Sequence, residues 1–359
     1  MAILDDLIAR IRTAAESGSA LRIRGGGSKD FLGERFEGEV LDTTGLRGIV
    51  SYEPSELVVT VLAGTPLAEL EALLAGKGQC LPFEPPHFGS AATVGGMVAA
   101  GLSGPARASA GPVRDYVLGL QLVNGRGELL TFGGQVMKNV AGYDVSRLMV
   151  GAFGTLGLIT EISLKVLPVA PAEATLRFEL DQAQALRQLN AWGGQPLPLN
   201  ASCWKREDGG EALYVRLRGA QAAVEAACRT MGGERLDGAG PHWVACREQQ
   251  QAWFADRGER ELWRLSVPQT APVLDLPEPP LVEWHGAQRW VRVAPGGGDA
   301  LRAVAREAGG HATLFRTAGP VSFPRFTPLA PALATIQREL KRQFDPAGTF
   351  NPGRLFPDF

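Results

Sequence analysis

The chain has 359 residues, of which 45% are hydrophobic and 21% charged, and its formal net charge is −2. That length exceeds one ordinary core and predicts two domains, while the composition is that of a soluble globular protein. The charge totals imply no basic face for nucleic acid. The four cysteines, Cys80, Cys203, Cys228 and Cys246, form no CxxC pair, and the four histidines, His87, His242, His285 and His311, form no close-spaced ligand pair. The sequence therefore predicts no metal and no iron–sulfur site, with the cysteines isolated and reduced.

The chain opens with an amphipathic helix that places Leu4, Leu7, Ile8 and Ile11 on one face. Asp5 and Asp6 stand where a signal peptide needs positive charge, so the expected location is cytoplasmic. Residues 21–24 alternate like a strand and run into Gly25-Gly26-Gly27-Ser28. Strands follow at 49–52 and 57–62, then a helix at 66–75 with Thr65 as its cap and Pro66 at its first position. Strands at 116–123 and 128–132 flank the turn Asn124-Gly125-Arg126-Gly127, and another strand runs over 156–166. After Pro168 the order is strand, helix, strand, strand, helix, strand over 174–236, a split β-α-β-β-α-β unit of the ferredoxin-like type. A second block holds strands at 262–267, 281–284, 290–293 and 312–316 and a helix at 299–307; a last helix spans 331–344. This reads as an α+β chain with parts at 1–168, 169–328 and 329–359, the last returning to the first.

Chemistry concentrates in three glycine-rich turns. Arg24-Gly25-Gly26-Gly27-Ser28 permits positive φ and converging N–H groups suited to an anion. Thr93-Val94-Gly95-Gly96-Met97 is a second small backbone turn, and residues 151–157 a third. The first does not match GxGxxG, because the sixth position is Asp30, which disfavours a Rossmann site. Three such turns predict a large, flat, phosphate-bearing ligand.

In that order RIRGGGS, ATVGGMVAAGLSGP, GPVRDYVLGLQLVNGRGELLTFGG, KNVAGYD and GAFGTLGLITEISLKVLP resemble flavoproteins of the vanillyl-alcohol oxidase, or p-cresol methylhydroxylase, type. The tail FDPAGTFNPGR is similar to the D-lactate and glycolate dehydrogenase branch, and WRLSVP, EWHGAQRW and GGHATLFR resemble FAD-binding subunits of glycolate oxidases. The resemblance implies a two-part FAD-binding domain of the p-cresol methylhydroxylase type with a smaller ferredoxin-like cap. It implies FAD held by Arg24, Gly25, Gly26, Gly27, Ser28, Thr93, Gly95, Gly96, Met97, Ser103 and Gly104, then Gly111, Arg114, Asp115, Gly154, Gly157 and Ile159. No histidine stands in the first loop and His87 reads as a loop histidine, so non-covalent FAD is expected.

The histidine pair and acidic residue that bind metal in single-chain relatives are missing, and Phe153 stands where the family has a glutamate. A 2-hydroxy acid needs a cation for its carboxylate and a base for its hydroxyl. Arg264, Arg289, Arg292 and Arg316 are the cap's candidate cations, and Arg289 and Arg264 the catalytic choices; Arg289 either faces the flavin or packs on indole as a surface arginine. Lys138 and Tyr143 either position substrate or a partner, or serve a structural hairpin. The implied function is the FAD-binding subunit of a multi-subunit glycolate oxidase. The implied partners are a larger FAD-containing catalytic subunit and an iron–sulfur subunit, giving indirect contact with the membrane. Alternatives are a self-sufficient FAD-dependent 2-hydroxy-acid dehydrogenase and a non-catalytic FAD-fold subunit.

Overall fold

The computed structural model describes residues 2–35, 37–134, 144–255 and 258–357. In chain order the first part contains α1 (Ala2–Ser17), β1 (Leu21–Arg24), β2 (Glu39–Asp42), β3 (Ile49–Glu53), β4 (Val58–Leu62), α2 (Leu67–Ala75) and β5 (Gln79–Cys80). It continues with α3 (Val94–Ala100), α4 (Arg107–Ala110), β6 (Val117–Val123), β7 (Leu129–Gly133), α5 (Val145–Leu148), β8 (Leu158–Lys165) and β9 (Leu167–Pro168). Strands β1 and β2 pair in parallel, and β3-β4-β8-β6-β7 form an antiparallel five-stranded sheet. The apolar face of α1 buries Leu7 and Ile11 against Leu21, Leu41, Val123 and Phe350. Each such side chain contributes about 1.5–3 kcal/mol on leaving water. The main core of this part joins Val59, Val61 and Ile162 to Leu67, Leu70, Met97 and Val98.

The second part contains β10 (Ala172–Glu179), α6 (Gln182–Gly193), β11 (Leu199–Glu207), β12 (Gly210–Gly219), α7 (Gln221–Met231), β13 (Glu234–Leu236), α8 (Gly240–Glu248) and α9 (Ala252–Ala255). Then come β14 (Glu261–Ser266), β15 (Leu281–Glu283), β16 (Gln288–Val293), α10 (Gly298–Glu307) and β17 (His311–Arg316); α11 (Pro331–Phe344) follows. The split β-α-β-β-α-β unit is present, and its sheet continues into the second block. One eight-stranded sheet has the order β13-β10-β12-β11-β15-β16-β14-β17. The join is short, with Cys203 opposite Glu283 and Trp204 opposite Val282. No helix among the described residues is long and apolar enough to cross a membrane.

Two local expectations are corrected. Thr65 does not cap α2; Pro66 holds that position, and the Thr65 hydroxyl accepts from Gly48 N (3.0 Å) and donates to Gly48 O (3.2 Å). Residues 94–100 form a helix rather than a simple turn, with Thr93 Oγ1 accepting from Gly96 N at 3.2 Å and Gly101 closing it at φ 64°. Burial of Val94, Met97 and Val98 outweighs the weak helix propensity of the glycines.

The sheets meet along a polar seam. Glu84 accepts from buried Arg216 at 2.6 Å and from Arg218 at 3.1 Å, and Trp284 Nε1 donates to Gly104 O at 3.0 Å. His285 sits between Ser202 Oγ and Ser109 Oγ, each 3.0 Å from a ring nitrogen. At the C-terminal side of α11, buried Lys341 donates to Thr155 O, Asp345 and Phe350 O at 2.7–2.8 Å. Asp345 in turn accepts from Thr349 N and Phe350 N.

Two outcomes are expected. Burial lowers the His285 pKa from 6.5 to about 4. The unfolded chain therefore binds the extra proton between those values, and stability falls as pH drops from about 6.5 to about 4, by up to about 3 kcal/mol. His285→Asn, which tolerates the φ of 56° there, should flatten that part of a pH series of denaturant melts; an unchanged slope would reject this origin. Asp345→Ala leaves the Lys341 charge buried and unpaired and should cost about 3–5 kcal/mol in the same melts.

Candidate flavin site

The groove is built where three loops press against each other. One stretch of about 80 Å³ is lined by Arg24, Gly25, Gly26, Gly27, Ser28, Lys29, Asp30, Thr93 and Gly96, with Asn351 and Arg354 from the tail. A second, about 70 Å³, is lined by Thr43, Ala63, Gly95, Gly96, Gly154, Gly157 and Ile159. They share Ile23, Gly25, Gly96, Ala99 and Phe153 and so form one groove beside α3. At the far end of α3, Gly101 and Ser103 line a cavity of about 480 Å³ between the two sheets.

The glycines serve close backbone approach, and the structure changes the reason for several of them. A Cβ on Gly26 would lie 1.4 Å from Ala91 O, and one on Gly95 would lie 2.8 Å from Ala63 Cβ. These positions are small because loop packs on loop, not because a ligand fills the space. Gly96 differs: its Cβ would meet only Thr93 Oγ1, at 3.1 Å, beside the groove it lines. That position is the cradle proper.

Charge along the first stretch suits a diphosphate. Arg24 lies in the groove, with its Nε paired to Asp30 at 2.7 Å. Lys29 donates to His87 O at 3.1 Å, and burial pulls its pKa down to about 8. Arg354 donates to Asp30 O at 3.2 Å, and burial lowers its pKa to about 10. Arg354 and Asn351 sit in the tail motif FDPAGTFNPGR; Asn351 accepts from Ile23 N (2.8 Å) and donates to Phe153 O (2.5 Å). Neither was among the expected FAD ligands, although the motif that contains them is plain in the sequence.

Other expected residues fall elsewhere. Met97 is buried in the core of the first part. Gly111 has φ 93°, and a Cβ there would stand 3.0 Å from Asp115 Oδ2; neither residue lines the groove or the cavity. Arg114 and Ser103 line the cavity, whereas Gly104 faces a small pocket beside Ser103. The ring of His87 is held by Glu71 at 2.9 Å. Lys138 and Tyr143 lie outside the described residues.

The cap's cations divide. Arg289 is fully buried, and its guanidinium donates to Gly286 O, Pro272 O and Ala271 O at 2.9–3.3 Å. It does not line the cavity, which corrects both the flavin-facing and the surface readings. Arg264 does line it, and its Nε is buried without a hydrogen-bond partner among the described residues. Burial and then the nearby Arg107 charge lower the Arg264 pKa to about 10. The sequence reading missed Arg107, which lines the same cavity and lies 4.5 Å from the Trp284 ring centroid. His311 lines it too, its pKa lowered by burial and then by Arg264, so it is neutral at pH 7.

The FAD binding domain family matches residues 3–133. Over 352 residues, 98% of this chain and 97% of the relative, the chain is 46% identical to glycolate oxidase subunit GlcE of Escherichia coli (strain K12). The chain belongs to this family of glycolate oxidase subunits. Glycolate oxidase subunit GlcD of Bacillus subtilis (strain 168) is 33% identical over 140 residues, 39% of this chain and 30% of the relative. D-lactate dehydrogenase of Anaerostipes hadrus is 34% identical over 139 residues, 39% of this chain and 29% of the relative. A solved structure of alkyldihydroxyacetonephosphate synthase matches 97% of this chain and 74% of its own with a TM-score of 0.66 at 15% identity, which shows a shared fold. The first part is thus an FAD-binding domain of the p-cresol methylhydroxylase type, and the glycine-walled groove with its cations fits FAD.

Gly96→Val should remove FAD while leaving the thermal midpoint of the FAD-free protein nearly unchanged, since its side chain enters the groove. Gly26→Ala should instead destabilise the fold by about 1–3 kcal/mol through overpacking on Ala91. Flavin absorbance per chain and thermal melts read both. Full flavin in Gly96→Val would remove this face of α3 from the site.

Proposed function

We propose that this chain is the FAD-carrying subunit of a multi-subunit glycolate oxidase, oxidising a small 2-hydroxy acid such as glycolate to the 2-oxo acid within the complex. The observation that supports it is full-length similarity to glycolate oxidase subunit GlcE, joined to a groove along α3 and an arginine-lined cavity beyond the end of that helix. Names such as glycolate oxidase subunit GlcE and GlcD imply a multi-subunit assembly. In this reading the partners are a larger FAD-containing subunit and an iron–sulfur subunit, and contact with the membrane is indirect. The division at 1–168, 169–328 and 329–359 belongs to the same reading, with FAD held non-covalently by the first and last parts.

Bound FAD supplies a hydride acceptor. The chain's own residues do the rest. Arg24, Lys29 and Arg354 neutralise the diphosphate in the first stretch of the groove. Arg264 and Arg107 present cations to the cavity, where their guanidinium groups pair with a carboxylate. His311, neutral at pH 7, offers a ring nitrogen to the substrate hydroxyl proton. Trp284, Val113 and Val267 give the cavity its apolar wall.

This cavity also favours a second reading, a subunit that turns over by itself. The two separate in one anaerobic experiment with the FAD-loaded chain, dithionite serving as positive control. The subunit reading expects little bleaching by glycolate or D-lactate alone and restored turnover when the two partner subunits are added. Rapid, saturable bleaching of the chain alone would establish the second reading. In whichever preparation turns over, Arg264→Ala should lower kcat/KM about 10–100-fold, the loss of one charge-assisted hydrogen bond.

A further inference from the structure

We propose that Cys203, Cys246 and His242 form a structural site for a divalent, borderline-soft transition metal, with zinc as its natural occupant. The fold brings together residues that look scattered along the chain. Cys203 projects from β11, and His242 and Cys246 lie four residues apart on one face of α8, opposite it. One ligand atom from each lies within 4.8 Å of the other two. A tetrahedral site with zinc–sulfur bonds of about 2.3 Å and a zinc–nitrogen bond of about 2.0 Å needs ligand separations of roughly 3.5–3.8 Å, so closing it takes a movement of about 1 Å.

Two buried polar atoms lie unsatisfied beside the cluster. His242 Nε2 is buried with no hydrogen-bond partner among the described residues, and so is Gln251 Oε1. The His242 ring is held in place by stacking on Tyr214, with ring centroids 4.4 Å apart, and by the edge of Trp243 at 5.0 Å. Gln251, itself buried, directs its amide nitrogen at both sulfurs, 3.8 Å from Cys203 Sγ and closer to Cys246 Sγ. Turning that amide about its last bond brings Oε1 to the same place, where it supplies the fourth ligand. Glu283, opposite Cys203 in the sheet, is occupied by Gln288 and Trp290 at 2.8 and 2.6 Å and stays outside the set.

Charge selects the metal. Two thiolates, a neutral imidazole and a neutral amide around a divalent ion sum to zero, the combination that costs least in a buried place. A monovalent copper ion would leave one net negative charge there. Sulfur and imidazole ligands exclude magnesium and calcium, which take oxygen. The fourth position is filled by protein and both cysteines are buried, as in a closed structural site rather than a catalytic one. Its effect reaches the flavin domain, because Glu248 at the end of α8 accepts from His87 N and Phe88 N at 2.8–3.2 Å. Pinning α8 to β11 therefore fixes the loop that carries Glu84 and His87. None of this depends on the substrate or on the glycolate reading.

The test uses the full chain purified under reducing conditions without added chelator. Elemental analysis should find one zinc per chain, and exchange with cobalt should give a thiolate-to-cobalt charge-transfer band. Cys246→Ser and His242→Ala should bring bound zinc to background, while Cys228→Ser, outside the cluster, should keep it. Strong chelators should lower the thermal midpoint of the parent chain and leave the flavin absorbance of FAD already bound unchanged. Background zinc in the parent chain, with no cobalt band and all thiols titratable, overturns the proposal. So does a Cys203–Cys246 disulfide, seen as two missing thiols on denaturation without reductant. Should the variants fail to fold, the zinc count and cobalt spectrum of the parent chain decide alone.

Discussion

The structure depends first on backbone touching backbone around α3. Gly95 N donates to Ala63 O at 2.7 Å, Val94 N to Thr65 O at 2.9 Å and Leu67 N to Ala92 O at 2.8 Å. These bonds tie the end of β4, the start of α2 and the start of α3 into one unit. The Gly25–Gly27 loop then leans on Thr93 and Ala91 with no room for a side chain. The result is a wall made of main chain, at an approach distance that Cβ atoms would forbid. A flat ligand along such a wall meets fixed amide groups rather than mobile side chains, so little ordering remains to be done when it binds.

The wall is closed by the far end of the chain. Asn351 bridges β1 and the Phe153 turn, two segments of the flavin domain distant in sequence. It stays in place because Lys341 and Asp345 satisfy one another and the carbonyls and amides around them. A buried ion pair is weak evidence for stability, but a fully hydrogen-bonded one specifies a single arrangement. The tail can thus dock in one register only, and Arg354 reaches the groove as a consequence. The C-terminal motif is part of the groove because it is part of the lock.

Much of this was legible in the sequence, and the failures share one cause. Strands with clear alternation and helices with clean faces appear within a residue or two of their expected places, the β-α-β-β-α-β unit included. Local chemistry carried those elements. Helix α8 was missed because PHWVACRE has little amphipathic pattern; tertiary burial of Trp243 and Cys246 defines it instead. Arg289 was misplaced because a strand arginine between tryptophans looks the same in sequence whether it faces a ligand or three carbonyls. The cysteines were set aside for spacing, since no short motif joins Cys203 to Cys246, although His242 and Cys246 already stood at i and i+4. Long-range proximity leaves no local trace.

The cavity leaves less trace in the sequence than the groove does. The groove is lined largely by one contiguous domain, so its motifs lie in order along the chain. The cavity belongs to a seam: Arg107, Arg114 and Ser103 come from the flavin side, Arg264 and His311 from the cap. Their meeting is set by Glu84 gripping Arg216 and Arg218, by Trp284 donating to Gly104 and by His285 held between serines of both sides. A small shift of the cap would leave the groove intact and separate the two groups of cationic residues. The groove and the cavity are therefore separable in this architecture. The first is fixed by main-chain packing within the flavin domain, and the second by how the two sheets are docked.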